Sequence, residues 1–87
     1  MRGAPVLEFP SDFPIKVLGR RDSGVGVTTR AIVERHAGAL DEAAVRVRTS
    51  GDGNFLAITY LIQAQSRAQL DAIYGELTAC KSVLMAL

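Results

Sequence analysis

"AAVRVRTSGDGNFLAITYLIQAQ" (residues 43–65) decides the fold. Its first part alternates Val45 and Val47 against Arg46 and Arg48, the pattern of a half-exposed strand. "SGDGN" is a turn cluster with two glycines. "FLAITYLIQAQ" is β-branched and apolar on both sides, as a central strand is. Together these predict a β-hairpin in the middle of the chain.

Upstream of the hairpin, the residues near Pro5, Pro10 and Pro14 are too proline-rich for a helix. Residues 1–10 are therefore expected to be extended. "FPIKVLG" sets Phe13, Ile15 and Val17 against Pro14, Lys16 and Leu18, which predicts a strand with one buried face. Pro14 lacks an N–H and is expected at the strand's beginning. A helix is predicted over about residues 24–37, with Val25, Thr29, Ile32, Val33 and His36 on its inner side. Asp22 or Ser23 is the expected cap, and Gly38 the expected left-handed end.

Downstream, Ser66 caps a second helix, with Gln69 placed as in a capping box. Leu70, Ile73, Tyr74 and Leu77 form its apolar stripe. "SVLMAL" reads as a terminal strand with Val83, Met85 and Leu87 on one side.

The order is β-α-β-β-α-β, in one α+β domain over residues 1–87. With right-handed crossovers this is the ferredoxin-like arrangement, a four-stranded antiparallel sheet with both helices on one face. The helix side is expected to take Ile15, Val17, Val45, Val47, Ile58, Tyr60, Ile62, Val83 and Met85. The open side is expected to carry Lys16, Leu18, Arg46, Arg48, Phe55, Thr59, Leu61 and Leu84. A mixed apolar and basic face of this kind asks for a partner.

Ten basic and nine acidic side chains leave a net charge of +1, with no general pull toward nucleic acid or anionic membrane. A single cysteine, Cys80, excludes an internal disulfide and a cysteine-cluster metal site. It reads as a small apolar core residue. No apolar run reaches the ~18 residues of a membrane span, and no secretory leader is apparent. Cytoplasm is the expected compartment, and neither metal nor cofactor is expected. His36, the one histidine, has no nucleophile near it in the pattern and reads as structural. Asp41 and Glu42 read as a solvated turn.

"GRRDSGVGVTTRA" (residues 19–31) stands where a strand hands over to a helix. Free N–H groups there could hold an anion, which makes Gly24, Gly26, Arg20 and Arg21 a candidate anion site. The run lacks the lysine of a P-loop and the third glycine of a dinucleotide fingerprint. It is similar to the phosphate loop of acylphosphatases, but Thr28 stands where that family's phosphate-binding arginine belongs. The second strand also lacks the family's asparagine. An RNA-recognition module would need stacking aromatics on the open face, where only Phe55 is expected, and nucleic acid is not the expected partner.

Three longer stretches resemble the YbeD family of small bacterial proteins. The motif L-E-F-P-x-x-F-P-x-K-V-x-G falls on Leu7, Glu8, Phe9, Pro10, Phe13, Pro14, Lys16, Val17 and Gly19. An R-H pair falls on Arg35 and His36, and an S-x-x-G-N turn on Ser50, Gly53 and Asn54. I-Y-x-E-L falls on Ile73, Tyr74, Glu76 and Leu77. The resemblance implies a fold like that of ACT regulatory domains, and no catalytic residue carries over. Members are of unknown function, often labelled as lipoic acid-binding regulatory proteins. The chain departs from the family pattern over Ser23 to Val27. The resulting expectation is a non-catalytic regulatory or adaptor domain that binds a small lipoate-related ligand or a protein partner. Lys16, Arg46, Arg48 and Phe55 are the expected interaction residues, and two copies are expected to pair through the sheet.

Overall fold

The alternating and helical patterns become six regular elements in a computed structural model, which describes residues 8–87. They are β1 (Ser11–Arg20), α1 (Val25–Ala37), β2 (Val45–Ser50), β3 (Phe55–Ala64), α2 (Arg67–Ala79) and β4 (Val83–Ala86). A 3-10 turn, Glu42–Ala44, leads into β2 and takes up one residue of the expected solvated turn. The expectation for residues 1–7 lies outside the described residues.

The sheet is antiparallel in the order β2-β3-β1-β4, the ferredoxin-like topology. β1 and β3 pair along ten residues, from Ser11 opposite Ala64 to Arg20 opposite Phe55. Directly opposed residues share a face, so Ile15, Val17, Ile58, Tyr60 and Ile62 all point to the helices. There they bury against Val25, Ile32 and Val33 of α1 and Leu70, Ile73 and Leu77 of α2.

Pro14 sits inside β1 rather than at its start. Lys16 donates its N–H to Leu87, and side alternation sends the nitrogen of Pro14 toward the same edge. β4 pairing does not extend that far along β1, so the missing donor breaks no ladder.

Neither Asp22 nor Ser23 caps α1. Gly24 holds the N-cap position at φ 74° with no side-chain cap. That left-handed conformation suits glycine and turns the chain sharply into the helix. The Ser23 hydroxyl instead donates to the Arg20 carbonyl at 2.6 Å, closing the turn after β1. Val25 is fully buried immediately after it, and Val27 projects into solvent.

α2 starts as its sequence predicts, with the Gln69 N–H donating to the Ser66 hydroxyl oxygen at 3.0 Å. The Gln69 side chain reaches further than a capping box requires. Its oxygen accepts from the Gln65 N–H at 2.7 Å, and its amide donates to the His36 carbonyl at 3.0 Å. One residue thus caps α2 and ties it to the end of α1.

Beyond α1, Glu34 accepts from the Leu40 N–H at 2.9 Å, while Arg30 donates to the Leu40 carbonyl at 2.9 Å. The Leu40 N–H, with the Arg30 guanidinium second, holds the Glu34 carboxyl below the usual carboxylate range. A lowered native pKa contributes stability above the unfolded value that is lost as pH falls through the folded value. Glu34→Gln should therefore melt below the native protein at pH 7. The gap should close as acid passes below about pH 4. Circular dichroism melts between the two conditions check this, and a gap independent of pH would refute it.

Candidate functional site

The face of the sheet away from the helices is built from rows of opposed residues. Lys16 lies opposite Thr59, and Thr59 opposite Arg46. In the next row Met85, Leu18, Ala57 and Arg48 follow one another across β4, β1, β3 and β2. Leu87 exchanges both backbone hydrogen bonds with Lys16, at 3.0 and 2.7 Å, and extends the Lys16 row. The face therefore has an apolar side on β4 and β1 and a basic side on β2. Lys16 sits between them.

Two concavities meet at Lys16. One is lined by Lys16, Leu18, Ala57, Met85 and Leu87, and the other by Lys16, Ala44, Arg46, Arg48, Thr59 and Leu61. The predicted Lys16, Arg46 and Arg48 are thus brought together. Among the described residues, the ion pairs of 4.0 Å or less involve Arg30, Arg35, His36 and Arg67. None of the open-face cations shares in them. A chain of nearly balanced charge thereby pairs acids with bases on its helices and leaves its sheet face basic.

Phe55 is on the open face as expected, but at its far end, opposite Arg20. The Arg20 guanidinium lies 5.7 Å from the ring centre in cation–π contact. Arg20 and Arg21 line a concavity with Asp22, Gly53, Asn54 and Phe55. The Arg21 N–H donates to the Asn54 carbonyl at 2.9 Å, fastening the end of β1 to the hairpin turn. Gly24 and Gly26 are not in that lining, and Gly26 lines a different groove with Val27, Arg30, Val45 and Val47. Of the expected anion site, Arg20 and Arg21 thus line one surface and Gly26 another, while Gly24 lines neither.

One face assignment needs correction, and one residue on its expected face is less buried than its pattern suggests. Met85 is on the open face, not the helix side, because the register of β4 shifts between Leu18 and Gly19. That bulge leaves Val83 and Ala86 against the core and turns Met85 outward. Val47 does face the helix side, opposite Ile58, yet it is 54% exposed. β2 is an edge strand, and neither helix covers it. Leu61 and Leu84 are exposed as expected.

Tyr60 and Thr29 are buried where β3 meets α1, with their hydroxyls 2.7 Å apart. Burial pushes the Tyr60 phenol above its ordinary range. Arg35 and His36 both contact Glu76 of α2, which joins the R-H and I-Y-x-E-L motifs in space. Spacing alone could not place Glu76, although its position one turn before the end of α2 faces the partner helix. Cys80 is half-buried, packs on the core, and has its Sγ 3.2 Å from the Ser82 hydroxyl. Among the described residues, no cluster of three or more His, Cys, Asp and Glu could hold a metal ion. No described helix is long and apolar enough to cross a membrane.

The family model for a protein of unknown function, DUF493, matches residues 4–87. The chain belongs to the DUF493 family. Its motif resemblance to the YbeD family agrees with that membership. Among similar DUF493-type proteins, a UPF0250 protein of Azotobacter vinelandii is 40% identical over 85 residues, covering 97% of this chain and 92% of that one. A UPF0250 protein of Chromobacterium violaceum is 42% identical over 82 residues, covering 94% and 92%. One from Nitrosomonas europaea is 40% identical over 72 residues, covering 83% of each. The solution structure of protein HP0495 from H. pylori superposes with a TM-score of 0.75 at 13% identity. It covers 97% of this chain and 88% of its own, and at that identity it speaks for the fold alone.

Proposed function

We propose that this DUF493 domain is a non-catalytic regulatory or adaptor module whose open sheet face binds an anionic, part-apolar ligand or partner. One observation carries the reading. Lys16, with Arg46 and Arg48 beyond it and no ion pair to any of them among the described residues, borders an apolar concavity of Leu18, Met85 and Leu87. A carboxylate joined to an apolar chain, as in lipoate, satisfies both halves at once. The cation supplies a charge-assisted hydrogen bond, and the concavity removes apolar surface from water.

Titration with lipoate, with amide NMR shifts as the readout, tests this. Shifts should gather on Lys16, Leu18, Ala57 and Met85, and Lys16→Ala should weaken binding about tenfold or more, the scale of one hydrogen bond to a charged group. No shift at millimolar lipoate would remove lipoate as the ligand. A second reading, pairing of two copies through this face, draws support from the exposed Leu61, Met85 and Leu87. Light scattering on the same concentrated samples tests it, and a strict monomer would remove it.

A further inference from the structure

We propose that the outer edge of β2 receives an extended segment of a partner protein as a fifth strand, one that alternates acidic and apolar residues. This rests on the binding reading above only in sharing Arg46 and Arg48, and it names the partner's chemistry.

The sheet has two edges, and they differ. β4 is four residues long and bulged against β1. Short, bulged edges resist strand addition. β2 runs six residues in unbroken register with β3, from Val45 opposite Tyr60 to Ser50 opposite Phe55. Among the described residues no strand flanks its outer side, so alternate N–H and C=O groups there are available to an added strand.

The side chains of β2 state what that strand must carry. On the open face, Arg46 and Arg48 are exposed and join no ion pair among the described residues. Residues opposite them on an added strand lie about 5 Å away, where unlike charges attract and like charges repel. On the helix side, Val47 is 54% and Val27 82% exposed. They flank an open groove with Gly26, Val45 and Ile58, and no described element lies over it. An added strand would lay its apolar residues against Val45 and Val47 and over that groove.

The same charges argue against a second copy of β2 in this role. Two-fold antiparallel pairing of β2 with itself that keeps each face in register brings four arginines side by side. Arg46 and Arg48 thus act as a filter, rejecting homotypic pairing and admitting an acidic strand.

The test uses the full chain and two synthetic peptides, one alternating Glu and Val, the other Lys and Val. The Glu–Val peptide should slow hydrogen exchange at alternate amides of residues 45–50, and binding should weaken as salt rises. The Lys–Val peptide should give no protection. Arg46→Glu with Arg48→Glu, both at exposed positions, should reduce Glu–Val affinity roughly tenfold or more. Lys16→Ala should leave strand addition unchanged, since Lys16 lies two strands from β2, roughly 10 Å away. The same variant weakens lipoate, so the two readings fail separately. Protection by both peptides alike, binding that shifts β1 and β4 but not β2, or full affinity in the charge-reversed variant would each overturn the proposal.

Discussion

Gly19→Ala should destabilise the domain by about 3 kcal/mol, at the upper end of the usual range for forcing an extra carbon into a packed core. A Cβ built on Gly19 would lie 2.5 Å from the Ser82 carbonyl oxygen and 2.6 Å from the Val25 Cγ2. The first neighbour is backbone, held by the turn into β4. The second belongs to a fully buried side chain at the first residue of α1. Neither can swing aside as an exposed side chain would, so β1 must part from β4, from α1, or from both. At this size the melting temperature should drop by roughly 10–20 °C. Gly75 supplies the control. It is exposed on α2, and an added Cβ meets nothing within 4 Å. Gly75→Ala should therefore stabilise by about 0.5–1 kcal/mol through helix propensity. Urea unfolding of the two variants checks both signs. Equal stability in Gly19→Ala would refute the packing account.

Tyr60→Ala should cost about 3–5 kcal/mol, the range for removing a large aromatic from a core. Tyr60 heads the fully buried side chains of this domain at 1% exposure. An 87-residue domain has a total stability of about 4–13 kcal/mol, so this loss is a large fraction of the whole. The hydroxyl carries the smaller part. It donates to the Thr29 Oγ1 at 2.7 Å, with the Gly26 carbonyl a longer second neighbour at 3.2 Å, while the Thr29 hydroxyl donates to the Val25 carbonyl at 2.7 Å. Tyr60→Phe leaves Thr29 with an acceptor and should cost only about 1 kcal/mol. Thr29→Val in the Tyr60→Phe background should then cost less than Thr29→Val alone, because the two hydroxyls share one network. Denaturant titration of the four proteins measures the coupling, and additive costs would show that the hydroxyls act independently.

Much of the open face was legible in advance because strand alternation is local. Once residues 43–65 are a hairpin, Arg46, Arg48, Thr59 and Leu61 share a side by period alone. Lys16 joins them when β1 pairs with β3 in register. Met85 could not be placed this way. A bulge adds one residue to one strand, and everything beyond it changes face. The helix cap failed for a related reason. Ser23 and Asp22 are good capping residues, but Gly24 took the cap position, and the Ser23 hydroxyl found the Arg20 carbonyl instead.

Composition, alternation and helical spacing determined the six elements, their order and the ferredoxin-like fold, because those signals act over a few residues. Long motifs determined the family. The tertiary structure alone decided what those elements do to each other. It set Glu76 against Arg35 and His36, 41 and 40 residues away in the chain, and Arg20 against the Phe55 ring. It also left Val47 bare, although its pattern matches that of buried Val17. Burial depends on whether another element lies above a residue, and the two helices, packed over β1 and β3, do not reach the edge that β2 forms.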